Sequence, residues 1–378
     1  MKYLCLVFLA TSVAGQFTDD LYQLLAKENA DKNLISSPLS VEISLAMVYM
    51  AAGGNTAQEM RKVLKLSENK QEVAAKYKEF LTNLKGREKV AILDLANRIY
   101  VNDEYKLNPE YNQVVKDSFK AEAEAISLKD ADRATSIINK WVNDQTRGRI
   151  QDIVTKNDMT DQTLIAVLLN AIYFKGQWQY EFNPKNTKNV DFKTASQERV
   201  PVQMMSLSGT FKAAYVPELD AKVIELPYRN SSLSMVIFLP EKVDGLQELE
   251  KKIPGFSQPL RELDVNLKLP KFKIEFSTSL TKVLQTLGIR QAFTHGADLK
   301  GLITSKEGYI SKILQKAFIE VNEEGAEAAA ITAVSIGLRC IRCTPPPRLD
   351  FNADHPFAYV IRDQNAVYFQ GHFVKPGQ

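Results

Sequence analysis

Runs of apolar residues at two different periods lay out the chain. Pro38 to Met50 is apolar nearly all round and is bounded by Ser37 and by Gly53-Gly54, which predicts a buried helix. Thr56 with Glu59 fits a capping box and predicts a second helix opening there and running through Leu64. Val73, Tyr77, Phe80, Leu81 and Leu84 form one apolar stripe at helical spacing. Ile137, Ile138, Trp141 and Val142 form another, stopped near Gly148.

Strand patterns dominate later. Leu164 to Phe174 is almost continuously apolar except for Asn170, so it reads as a strand covered on both faces. A buried Asn must find partners, which points to a polar cluster inside the core. Leu233 to Leu239, Phe357 to Ile361 and Val367 to Val374 read the same way. Between Leu267 and Phe276 the apolar phase slips by one residue at Pro270, which predicts a bulge or a change of sheet. Helices come early and strands late, and no linker or repeat divides the chain. One large α+β domain follows.

Composition changes this picture little. The 378 residues carry 48 Lys+Arg and 45 Asp+Glu, a formal charge of +3, too slight an excess to point to nucleic acid. The N-terminus changes it more. Met1-Lys2, an apolar run from Tyr3 to Ala10 and the small residues Val13-Ala14-Gly15 read as a signal peptide over 1–15. The mature chain then begins at Gln16 and is secreted, with no span long enough for a membrane. Cys5 leaves with the signal, so Cys340 and Cys343 stay, too few for a disulfide framework. Asn230-Ser231-Ser232 is a glycosylation sequon.

No nucleophile elbow, phosphate loop, dinucleotide fingerprint or zinc motif is present, and His295, His355 and His372 are scattered. The chemistry of interest lies elsewhere, between Lys316 and Arg348. An alternating strand pattern enters at Lys316, and after Glu327 no charge occurs until Arg339. Its alanines favour helix while Ile331, Thr332, Val334 and Ile336 favour strand. Counted as a strand, Ala326, Ala328, Ala330, Thr332, Val334 and Ile336 share one uncharged face of small or medium side chains. At roughly 3.3 Å per residue this stretch spans about 36 Å, enough to cross a large sheet without burying an ion. Composition equally allows an Ala-rich surface loop with no second state.

At this point the chain resembles the serpins, over essentially its whole mature length. Asn33 to Ser40, Asn139-Lys140-Trp141-Val142, Leu169 to Trp178, Phe293 to Leu302, His355-Pro356-Phe357 and Phe369-Gln370-Gly371 each resemble family motifs in order, and Glu323 to Ala330 resembles the hinge of the exposed reactive loop. The resemblance implies a serpin fold with three β-sheets, about nine helices and an exposed reactive-centre loop at about 323–350, in a single domain over 16–378. It also implies a mechanism. A serine protease cleaves the loop, and the loop inserts into the main sheet before the acyl-enzyme is hydrolysed.

Residue roles follow from the same resemblance. Glu323, Gly325, Ala326, Ala328, Ala329 and Ala330 form the hinge, and their small size favours an inhibitor over a non-inhibitory carrier, chaperone or storage serpin. The scissile residue falls fourteen positions after Gly325, at Arg339, making Arg339–Cys340 the reactive bond and a trypsin-like protease the covalent partner. Arg342 is the second choice. Ser37, Ser40, Asn170, Trp178, Lys271 and Gln315 are expected where the sheet opens, with Gln315 standing where many members have a His, and Glu323 pairing with Lys271. Cys340 and Cys343 read either as a small disulfide ring or as two free thiols. No cofactor is required. Lys70, Lys76, Lys78, Lys85, Arg87 and Lys89 are the candidates for a heparin-like glycosaminoglycan, although Glu68, Glu72, Glu79 and Glu88 interleave with them. A monomer in an extracellular cascade, without nucleic acid or membrane, completes the expectation.

Overall fold

A computed structural model describes residues 8–85, 91–161, 163–304, 307–323 and 348–377. The first half holds α1 (Phe8–Glu28), β1 (Leu34–Ser36), α2 (Pro38–Ala51), α3 (Gly54–Leu64), α4 (Lys70–Lys85), β2 (Ala91–Asn102), α5 (Pro109–Phe119), β3 (Glu122–Ile126), α6 (Ala131–Gln145), α7 (Lys156–Met159) and β4 (Ala166–Gly176). The second holds β5 (Lys188–Lys193), β6 (Arg199–Val216), β7 (Ala221–Pro227), β8 (Ser234–Pro240), α8 (Leu246–Lys252), β9 (Arg261–Pro270), β10 (Phe272–Ser279) and α9 (Thr281–Leu287). It closes with β11 (Ile310–Val321), β12 (Arg348–Asn352), β13 (Phe357–Arg362) and β14 (Val367–Phe373).

Contacts gather the chain into two compact units, each assembled from three stretches. One comprises Met1–Lys175, Lys273–Glu320 and Arg362–Gly371; the other comprises Gly176–Phe272, Val321–Ile361 and His372–Gln378. The first is built on a five-stranded sheet of order β10-β11-β4-β2-β3. Its strand β4 is covered on both faces. Val167, Leu169 and Ala171 pack with Ile138 and Val142 of α6 and with Tyr100, while the alternate residues face away from them. Trp141 meets Tyr100 edge-on at 6.2 Å. Ile138 and Val142 are fully buried, and each such side chain stabilises by about 1.5–3 kcal/mol.

The second unit is built on the strand run β13-β8-β7-β6-β9-β12, with β5 also on β6. The expected three sheets resolve, among the described residues, into two hydrogen-bonded networks. The reason is β6. Its early residues pair with β5, its last with β7, and Met204 to Ala213 pair with β9, so two sheets share one long strand. The slip at Pro270 is a change of sheet, because β9 ends there and β10 belongs to the other network.

One local expectation changes on inspection. Helix α3 starts at Gly54, with Gly53 as N-cap and no side-chain cap. Thr56 Oγ1 instead accepts from Asp298 N, and Glu59 Oε2 accepts from the backbone N–H groups of Arg290 and Gln291. The capping-box residues therefore serve a distant segment. In α1 the side chains are described from Gly15 onward, and the buried stripe begins at Phe17 and continues through Leu21, Tyr22, Leu25 and Ala26.

Candidate sheet-opening site

The central strand of the five-stranded sheet, β4, has β11 as a parallel neighbour. Their register runs from Ala166 beside Ile310 to Phe174 beside Ile319 and places Asn170 beside Gln315. Both side chains are fully buried, so both need partners. Gln315 Nε2 donates to Asn170 Oδ1 at 2.7 Å, a side-chain bond directly across the two strands. Its Oε1 accepts from the Ser36 hydroxyl at 2.9 Å and from Ser37 N at 3.4 Å. Asn170 Nδ2 donates to Asn97 Oδ1, to Ser44 Oγ and to Ser40 Oγ.

Local structure delivers these groups. Ser37 caps α2, its hydroxyl accepting from Ser40 N, and Pro38 occupies the first turn, where a missing N–H costs nothing. Ser40 and Ser44 then lie one turn apart on the face of α2 that meets Asn170. Ser36, Ser44 and Asn97 belong to the cluster but are not legible in the sequence. Serines within an apolar helix carry no signal of what they face.

A second polar cluster lies in the other unit. Trp178 Nε1 donates to Asn322 O at 3.0 Å, and its ring stacks on Tyr228 with centroids 4.8 Å apart. Lys271 Nζ lies 2.9 Å from Glu323 Oε2, and Thr187 Oγ1 donates to Glu323 Oε1 at 2.8 Å. Burial works to raise the Glu323 carboxyl, but the hydrogen bonds from Lys271 and Thr187 outweigh it and leave the group below its ordinary value. Asn322 and Glu323 are the last described residues before 324–347, the stretch in which the expected reactive-loop hinge continues.

Gly325, Ala326, Ala328, Ala329, Ala330, Arg339, Cys340, Arg342 and Cys343 lie outside the described residues, as do Arg87, Lys89 and the Lys85 side chain. Of the remaining glycosaminoglycan candidates, Lys70 is already engaged. Its ammonium donates to the carbonyls of Met50 and Ala52 at the C-terminus of α2 and stands 5.5 Å from the Tyr49 ring centroid. Burial also lowers its pKa. Lys76 stands 5.5 Å from the Tyr77 ring centroid, and Lys78 is exposed. Asn230 is exposed in the turn joining β7 and β8, with a left-handed φ of 46°.

The site is thus a pair of adjacent parallel strands in a five-stranded sheet, tied by a buried amide pair. The comparisons give the class its name. The sequence profile of the serpins (serine protease inhibitors) matches residues 12–376. The chain is 51% identical over 378 residues to Serine protease inhibitor 42Dd of Drosophila melanogaster, covering all of both chains. It is 35% identical to human leukocyte elastase inhibitor, covering 97% of this chain and 99% of that one. Among solved structures, Serpin48 of the insect Tenebrio molitor superposes with a TM-score of 0.87 at 32% identity, covering 99% of this chain and 100% of that one. Uncleaved ovalbumin gives a TM-score of 0.86 at 31% identity, covering 97% and 100%. The chain belongs to the serpin family. It is a protein of the serine protease inhibitor class and not an enzyme.

Proposed function

We propose that this protein is a secreted suicide inhibitor of trypsin-like serine proteases acting in an extracellular proteolytic cascade, with Arg339–Cys340 as the bond attacked. The observation that carries the reading is the orientation of β4 and β11. Both run the same way, so a segment that leaves β11 and folds back through Gly325 can lie between them antiparallel to each. The residues that would do so, Ala326 to Ile336, present one uncharged face. An ion or a Pro on that face opposes entry through desolvation or a lost ladder bond.

The protease attacks the Arg339 carbonyl and forms an acyl-enzyme, releasing Cys340 as the new N-terminus. The freed segment enters between β4 and β11 and carries the tethered protease with it. Catalytic groups pulled off their geometry hydrolyse the ester slowly, since displacements of about 1 Å can cost about a hundredfold in rate. Insertion exchanges one β4–β11 ladder for two, a net gain of one ladder. For the nine aligned pairs of the present register that is on the order of 5–13 kcal/mol.

Incubation with trypsin followed by denaturing electrophoresis tests the reading. A band of summed mass is expected, and a first cleavage after Arg339 read by N-terminal sequencing. Clean cleavage with full residual trypsin activity would instead make the protein a non-inhibitory carrier, chaperone or storage serpin. With Lys70 engaged by α2, heparin at low salt is expected to leave the inhibition rate unchanged.

A further inference from the structure

The strand into which the reactive-loop sequence runs is lightly held along its length. β12 lies at the edge of its sheet, with β9 as its one neighbour among the described residues. Of its five side chains only Phe351 is buried. Its C-terminal end is held differently. Ala353 N donates to Lys268 O of β9 at 3.0 Å, and Lys193 N of β5 donates to Asp354 O at 2.8 Å. Asn352, the last residue of β12, donates from Nδ2 to Asp354 Oδ2 at 3.0 Å. The other oxygen of that carboxylate lies 2.8 Å from His355 Nδ1. On the far side of the ring, Nε2 lies 2.7 Å from Pro240 O at the end of β8. One side-chain relay thus runs from β12 through Asp354 and His355 to β8.

The partners fix the chemistry of the ring. Pro240 O is a carbonyl and can only accept. The hydrogen bond from His355, ahead of every other cause, holds the Asp354 carboxyl below its ordinary value against partial burial, so at neutral pH it too only accepts. Each ring nitrogen therefore donates, and a ring with a proton on both nitrogens is an imidazolium. Other charges on the surrounding elements do not replace this pairing. Asp191 of β5 has Arg199 at 3.5 Å, and Glu241, next after β8, has Lys222 at 3.3 Å. Arg348 and Asp350 of β12 both bond to Asn266. Lys193 of β5 acts on the Asp354 carboxylate, and Lys268 of β9 lies in register with Asn352. The ring side chain is 11% exposed, so a neutral tautomer leaves one of its two acceptors facing a lone pair with little water to help.

We propose that His355, as an imidazolium, is a positioning residue for the inhibitory reaction: it holds Asp354 against the end of β8 and so fixes β12, the root of the reactive-loop sequence on its C-terminal side. The proposal rests on the inhibitory reading above. A protease attacks the loop only while the loop is presented, so a root fixed in a fraction of the molecules lowers the rate of attack by that fraction. Insertion is different. It uses the segment before Arg339, and cleavage has already parted that segment from β12. Losing the imidazolium therefore slows the encounter with protease and leaves the later race between insertion and hydrolysis unchanged. The charge contributes at low pH, and its contribution is lost as pH rises and the ring gives up its second proton.

The test pairs NMR of labelled histidine rings with inhibition kinetics on the full secreted chain. Of the three histidine rings, the one absent from the His355 variants is expected to carry both ring protons at pH 6. His355→Gln is expected to inhibit trypsin several-fold more slowly than the parent at pH 6, with the same number of inhibitor molecules consumed per trypsin. His355→Arg, which keeps a cation with donors on more than one side, is expected to stay within twofold of the parent. As pH rises to 9 the parent should fall toward the Gln variant while the Arg variant does not, and comparing the three at each pH cancels the profile of trypsin itself. If the protein is cleaved without trapping trypsin, the inhibitory reading fails, and the same ratios are read in the rate of loop cleavage. If the Gln variant does not fold, the ring protons of the parent and its pH profile against the Arg variant decide. The proposal is overturned if the ring carries one proton at pH 6 or if the Gln variant keeps the parent's rate. It is equally overturned if the ratio of parent to Gln variant is the same at pH 6 and pH 9, if the Gln variant consumes more inhibitor per trypsin, or if the Arg variant is as slow as the Gln variant with the parent's melting temperature.

Discussion

Replacing Gln315 by Leu probes the bond that holds β4 and β11 together. Leucine nearly matches the amide in volume, so little cavity is created, but it can neither donate nor accept. Three buried groups then lose their partner: Asn170 Oδ1, the Ser36 hydroxyl and the Ser37 N–H. The Ser37 carbonyl keeps its bond from Val41 N. Each unsatisfied buried group costs about 1–3 kcal/mol, and the serine hydroxyl can rotate to escape the cost, so the remaining two groups sum to about 2–6 kcal/mol. That is a large share of the roughly 5–15 kcal/mol by which domains are stable. In a chain of this length the melting temperature should fall on the order of 3–8 °C.

Because the lost bond bridges β4 and β11, the variant should also lose inhibitory activity faster on standing at 37 °C, as uncleaved loop enters the loosened sheet. Differential scanning calorimetry and timed titration against trypsin measure both effects. Gln315→His is the control, since a neutral imidazole restores one donor and one acceptor and should recover most of the loss above pH 7. A Leu variant that melts within 1 °C of the parent and keeps its activity would refute the role assigned to the amide pair.

Other expectations are separate. The Glu323 carboxyl is held below its ordinary value of 4.5, so its contribution is complete above that pH and is lost as pH falls through the lower folded-state value. The melting-temperature gap between the parent and Glu323→Gln should therefore be present at pH 7 and shrink below pH 4.5, and a gap constant down to pH 3 would contradict the pairing with Lys271. Ala330→Arg places an unpaired ion on the inserting face, at a cost of several kcal/mol, and should convert complex formation into substrate cleavage, read as the ratio of bands on a denaturing gel. Asn230→Gln should remove an amidase-sensitive mass shift from protein made in a secretory host, since the sequon is exposed at a turn. An unchanged mass would leave Asn230 unmodified.

Much of the fold was legible because burial leaves a period in the sequence. The two-sided burial of β4 and the packing of Ile138, Trp141 and Val142 on α6 follow from apolar spacing, whereas Ile137 of the same predicted stripe is 39% exposed, and one polar residue in an apolar strand, Asn170, announced the cluster around it. The slip at Pro270 announced a change of sheet. What failed was reading polar residues by near neighbours. Thr56 and Glu59 looked like a local cap yet bond to a segment more than two hundred residues away, and Lys70 looked like a surface cation yet caps the C-terminus of α2. Ser36, Ser44 and Asn97 join the cluster only through tertiary packing, which no local pattern encodes.

The central claim is that the intact protein stores energy which cleavage releases as an added strand. Calorimetry of the native protein beside the same protein nicked once in the reactive loop, by a protease it does not trap, measures that directly. A net gain of one ladder, on the order of 5–13 kcal/mol, predicts a melting temperature for the nicked form higher by roughly 6–16 °C. A nicked form that melts at or below the temperature of the intact one would contradict the account.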